Sequence, residues 1–249
     1  MRDTPSSVGL PELPKTRVRL KKQVEKSAEY RAFLREKVFF NPVIWVIGFA
    51  KFCLYVTRFW MLDWGPAMFQ QSKGVSLLKA GGLVAVFEIV GVIGMISMGW
   101  ATDRFLKGYA HRTAALCMAG TAISIFVIWQ IPAGSPAWML IIALCFTGFF
   151  LNAVQALITI SVSNQATKKV APTAAGFTGI FAYASTLLSG LGFGYLAQHY
   201  GWCSVYLLVV IIALVGTGLF LSIWRIKPHG YETDPEQPPS AEIPNSNNQ

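Results

Sequence analysis

Six stretches of this chain are apolar over greater lengths than a strand or an ordinary core helix requires: residues 43–69, 81–101, 113–131, 137–162, 173–197 and 202–226. At a rise of about 1.5 Å per residue, about 20 apolar residues cross a hydrocarbon core of about 30 Å. Backbone amides in lipid must bond within their own segment, so each run is expected to be a helix. The six cannot all be buried core helices of a soluble domain. Only 13% of the 249 residues are Asp, Glu, Lys or Arg against 53% apolar, which leaves too little polar surface to cover such a core. The fold expected is an all-α membrane protein of six transmembrane helices over 41–228. A basic segment over 1–40 precedes it and a polar tail over 229–249 follows, the latter too poor in apolar residues to fold.

The net charge of +9 has a direction. Ten Lys/Arg precede Val43, and Arg104, Lys107, Arg112, Lys168, Lys169, Arg225 and Lys227 fall in the connections on the same side of the expected helices. The opposite side holds Lys73 and Lys79. Positive residues are retained in the cytoplasm, so both termini are expected there. The basic charge is read as a topology signal, and no nucleic-acid partner is expected. Residues 15–40 interleave basic residues with Leu20, Val24, Tyr30 and Leu34, which suits either a surface-lying amphipathic helix or a solvated linker. Cys53, Cys117, Cys145 and Cys203 lie in or beside the apolar runs without paired spacing and read as packing residues. No metal cluster, nucleophile elbow or catalytic triad stands out, so neither an enzyme nor a resident metal or cofactor is expected.

Charges inside a bilayer are costly and therefore informative. Lys51, Tyr55 and Arg58 are spaced i, i+4, i+7, which puts two cations and a phenol on one helix face within about 60°. Glu88 lies near the middle of the second run. Each has two readings. Lys51 either joins a site or snorkels to the interface. Glu88 either shares the site or only neutralises a cation. The functional reading of the face is an anion site, since a guanidinium offers two parallel donors to a phosphate. Asn152 and Gln155 on the fourth run and Tyr183, Ser185, Thr186 and Ser189 on the fifth could complete a cavity, or could simply bridge helices. Gly190 and Gly194 read as a G-x-x-x-G packing face.

The connection after the second run reads GWATDRFLKG, with Gly99, Asp103, Arg104, Lys107 and Gly108. This resembles the cytoplasmic loop signature of the major facilitator superfamily, which follows the second helix of each half of that fold. Six helices in two three-helix repeats match one such half. Two stretches resemble the organophosphate:phosphate antiporters within it. NPVIW at 41–45 with YVTRFWMLDW at 55–64 resembles their seventh helix, and Lys168–Lys169 with TAAGFTGIFAY at 173–183 their tenth loop and eleventh helix. The resemblance covers 41–227 and implies the C-terminal half, with Arg58 as its phosphate-binding arginine and Tyr55 beside it. It further implies a bacterial inner-membrane antiporter that exchanges a phosphate ester for inorganic phosphate. A complementary N-terminal six-helix half would carry the other arginine, with a homodimer as the substitute. A sensor that binds sugar phosphate without net transport, or an inactive fragment, are the alternatives. Three positions depart from the pattern: Lys51 replaces a neutral residue, FFLNAVQ at 149–155 replaces a Gly-Pro element, and Pro172 replaces a glycine.

The charge distribution makes a direct prediction. Reporter fusions at Gln249 and within 70–76 will give signals from opposite sides of the membrane, and same-side signals would contradict the topology.

Overall fold

The computed structural model describes residues 34–106, 108–166 and 170–226. Among them every regular element is helical. Helix α1 (Pro42–Phe59) starts where the sequence is built to start one: Asn41 caps it by accepting from the Val43 amide at 3.0 Å, and Pro42 opens the first turn. A π-helical turn, Trp60–Trp64, links α1 to α2 (Gly65–Lys73). Then come α3 (Leu77–Phe105), α4 (Ala110–Gln130), α5 (Ala137–Gln165), α6 (Ala171–Leu187), a second π-helical turn at Leu188–Gly192, and α7 (Phe193–Ser222).

Among the described residues, five continuous helical runs are long and apolar enough to cross a membrane: Pro42–Lys73, Leu77–Phe105, Ala110–Gln130, Ala137–Gln165 and Ala171–Ser222. The sixth expected segment is contained in the last of these. That run has 52 residues, about 78 Å at the helical rise and more than twice a hydrocarbon core. It is broken at Gly201, whose φ of 75° and ψ of 169° are not helical. Before the break the chain runs along α1 in its own direction. Phe177 meets the Trp45 ring at 5.2 Å, and Trp64 Nε1 donates to the Ser189 carbonyl at 2.9 Å. Beyond the break it runs back along α4, from Trp129 Nε1 donating to Cys203 Sγ to Arg112 Nε donating to the Trp224 carbonyl at 2.9 Å. The two parts therefore point in opposite directions.

Helix α5 is central, packed against α3, α4, α1 and α6, while α1 packs on α6 and α7. The α3–α5 crossing is set by glycine. A Cβ at Gly148 would lie 2.2 Å from the Phe87 carbonyl oxygen, and one at Gly94 would lie 2.1 Å from that of Phe149. Small residues let helix backbones approach this closely in lipid. The pair Gly190 and Gly194 behaves differently from the expected packing face. A Cβ at Gly194 would touch the Trp64 ring at 3.0 Å, but Gly190 faces open space. The π-turn over Leu188–Gly192 adds a residue to the turn and rotates the two glycines apart.

In the expected loop signature, Gly99, Asp103 and Arg104 lie in the last turns of α3, with Asp103 and Arg104 exposed. Gly108 closes the connection with φ 77° and donates its amide to the Thr102 carbonyl at 3.1 Å, a left-handed position suited to glycine. Lys107, Lys168, Lys169 and Lys227 lie outside the described residues, as do most of the basic N-terminal segment and the polar tail.

Gly148→Ala will push α3 away from α5 and lower the stability of the purified protein by about 1–3 kcal/mol. Gly218→Ala, where an added Cβ meets nothing within 4 Å, will not. Thermal unfolding in detergent compares the two.

Candidate anion site

Three helices converge on Arg58. It occupies the last turn of α1, just before the π-turn that carries Trp60 and Trp64, and its side chain is 16% exposed. Its Nη2 donates to both oxygens of Glu88 on α3, at 2.9 Å and 3.1 Å. Its Nη1 donates to Asn152 Oδ1 on α5. Asn152 is only 1% exposed and anchors itself by donating Nδ2 to the Gly148 carbonyl one turn earlier, at 3.2 Å. The glycine seam makes this possible. A Cβ at Gly91 on α3 would meet Asn152 Nδ2 at 2.0 Å, so only glycine leaves room for the amide beneath the guanidinium. The close α3–α5 approach thus builds the platform on which the charged pair rests.

An unpaired charge at the centre of a spanning helix costs about 2.5–3.5 kcal/mol on insertion scales. Arg58 and Glu88 neutralise each other, and Glu88 keeps a 37% exposed side chain, so the pair is open from one side. The surface around that opening is apolar: Ile89, Val92, Ile93 and Ile96 on α3 are all exposed.

The other residues singled out from sequence are placed differently. Lys51, on the same face of α1, turns to α6 and donates Nζ to Thr178 Oγ1 at 3.4 Å. Tyr55 is half-buried, its ring 5.7 Å from that of Phe59. Gln155 is half-buried with Oε1 enclosed and unpaired among the described residues. Tyr183 is 79% exposed on α6. Arg58, Glu88 and Asn152 are therefore the set that the fold brings into mutual hydrogen bonding. Ser185 and Thr186 bond back to carbonyls of their own helix, whereas Ser189 donates to Asp63 Oδ2 at 3.5 Å.

Sequence reading did not anticipate the contact between the two π-turns, where Trp64 meets Ser189. The apolar periodicity of the two runs carries no signal for it. Nor did it anticipate a cavity of about 550 Å³ between α4 and α5, lined by Gly120, Phe146 and Phe150 among others, which contains none of the residues above.

The six-run pattern, the α3 loop signature and a half-fold built around a polar centre point one way, and comparison with known proteins decides it. Residues 98–246, more than half of the chain, match the Major Facilitator Superfamily. The chain belongs to that superfamily. Among the facilitators it is similar to a probable hexose phosphate transport protein of Chlamydia trachomatis, 32% identical over 238 residues that make up 90% of this chain and 52% of the relative. It is also similar to the glycerol-3-phosphate transporter of Bacillus subtilis, 32% identical over 90% of this chain and 52% of that protein. A third relative is the membrane sensor protein UhpC of Salmonella typhimurium, 30% identical over 89% of this chain and 51% of the sensor. The chain spans about half the length of these curated relatives. A crystal structure of the peptide transporter POT in complex with sulfate shares the fold with a TM-score of 0.60 at 13% identity. It covers 72% of this chain and 37% of the transporter.

Asn152→Ala will leave an Arg58 donor without its partner and lower stability by about 1–3 kcal/mol. The measurement is thermal unfolding of the purified facilitator chain, with an unchanged transition as the contrary result.

Proposed function

We propose that the chain supplies one half of a bacterial inner-membrane transporter that exchanges a phosphate ester for inorganic phosphate by alternating access. The ester is a sugar phosphate or glycerol 3-phosphate, the cargo that the names of the similar transporters print. In this reading Gly201 divides the last helical run, giving six crossings with both termini cytoplasmic. The broad apolar face beside Glu88 is covered by a complementary six-helix half, with a second copy of the chain as the substitute. The observation that carries the reading is a guanidinium held among apolar helices by Asn152 and by a Glu88 that is open from one side.

Arg58 is held by Asn152 from below, so its planar fork keeps one orientation while a ligand comes and goes. A phosphate group offers a pair of oxygens, as Glu88 does to Nη2, and can span Nη2 and a neighbouring N–H of the fork. Binding is thus an exchange of one anion for another at a fixed cation, and the second half contributes the opposing cation. No covalent chemistry is needed. Ester and phosphate compete for the same fork while the halves rock around it. Tyr55 and Lys51, on the same helix face, line the approach.

The similarity to a membrane sensor supports a second reading, in which the same ligands bind at the same site and a partner reads the change without net flux. The two readings differ in whether labelled phosphate crosses the membrane.

Arg58→Lys keeps the charge and loses the fork, so phosphate exchange in vesicles containing the chain and its complementary half will fall at least about ten-fold, with membrane abundance unchanged. Lys51→Ala will be milder, because Lys51 bonds to α6 rather than to the Arg58 cluster. Exchange retained in both Arg58→Lys and Arg58→Gln would remove Arg58 from the mechanism.

A further inference from the structure

The Nη2 end of Arg58 is committed to the protein. Nη2 serves both Glu88 oxygens and Nη1 serves Asn152. An anion whose two contacts include Nη2 displaces Glu88 from it, and Glu88 then stands beside that anion without a counter-charge. We infer that Glu88 takes up a proton when a phosphate group binds Arg58, so that one proton accompanies each anion through the site. The inference rests on the reading of Arg58 as the anion site.

The surroundings of Glu88 leave it no other charged partner among the described residues. Helix α5, packed along α3, contains no Asp, Glu, Lys, Arg or His over Ala137–Gln165, and its one titratable side chain is Cys145. Helix α2 carries Lys73, whose Nζ donates to the carbonyls of Trp129 and Ile131. Helix α4 carries Cys117, together with His111 and Arg112, both engaged with the Trp224 carbonyl. On α1, Lys51 is bonded to Thr178, and Cys53 and Tyr55 are the other titratable side chains besides Arg58. Helix α3 itself has Lys79 nine residues before Glu88 and Asp103 and Arg104 at its far end, about 13 Å and 22 Å away along the axis. Arg58 is the charge that faces Glu88.

Two costs follow displacement. A carboxylate loses its paired cation inside an apolar bundle, and a dianion now sits on the neighbouring guanidinium. Protonation removes both at once. The proton comes from water at the face where the anion enters and attaches to a Glu88 carboxylate oxygen. It returns to water where the anion leaves and the Arg58–Glu88 bond re-forms. No bond to phosphorus forms or breaks. Exchange of two anions moves one proton each way, whereas net movement of an anion carries a net proton.

The test is binding of labelled glycerol 3-phosphate to membrane vesicles holding the chain and its complementary half, between about pH 7.5 and 8.5. That window lies above the second ionisation of a phosphate ester, near about 6. One proton taken up with the ligand makes affinity fall as pH rises, so the apparent Kd of the parent chain will rise about ten-fold more per pH unit than that of Glu88→Gln. Equal slopes, with binding still abolished by Arg58→Lys, would overturn the proton uptake and leave the anion site standing. Binding indifferent to Arg58→Lys would overturn both. An infrared difference spectrum of the parent chain supplies a readout that needs no variant. Addition of glycerol 3-phosphate will produce a neutral carboxyl band, and its absence overturns the inference.

Discussion

A guanidinium and a carboxylate meeting inside an apolar bundle impose a condition on everything around them. Neither is tolerable there alone, and each is carried on a different helix, so α1 and α3 must be held at one separation and one rotation for the pair to close. The seam of Gly91, Gly94 and Gly148 does that by bringing α3 and α5 to backbone contact, and Asn152 converts the seam into support for Arg58. The stability of the crossing and the geometry of the Arg58 cluster are thus one feature. Substitutions that widen the seam loosen the charge pair as well.

Much of this was legible in the sequence because lipid simplifies the problem. Long apolar runs must be helices, and a charge within such a run must have a reason. Arg58 and Glu88 stand out on those grounds and Asn152 only as one of several polar residues that could complete a cavity; the fold brings these three together and leaves Gln155 and Tyr183 apart. What could not be read was the direction in which long side chains turn. Lys51 and Arg58 share a helix face, yet Lys51 reaches α6 and Arg58 reaches α3 and α5, since the choice is made by neighbours 127 and 30 residues away in sequence. The exposure of Tyr183 has the same origin, because a polar residue on an apolar helix looks alike whichever way it faces. The divided helical run is a different case. Gly201 falls in the gap between the fifth and sixth apolar runs, but helical hydrogen bonding continues on both sides of it, so the boundary lies in one residue's φ and ψ.

The polar centre of this Major Facilitator Superfamily chain lies at the edge of the described helices rather than enclosed within them. Glu88 is open on the side where the exposed isoleucines and valine of α3 lie. A closed charge pair could serve as scaffolding, but one open along a wide apolar face is suited to a second body that completes it.

The central claim is that a phosphate group and Glu88 compete for one fixed guanidinium. A structure of the chain with its complementary half, determined in the presence of glycerol 3-phosphate, tests it most directly. The account predicts ligand density on the Arg58 fork, Asn152 still bonded to Nη1, and the Glu88 carboxylate beyond hydrogen-bonding distance of Arg58. Ligand bound elsewhere with the Arg58–Glu88 pair intact would contradict it.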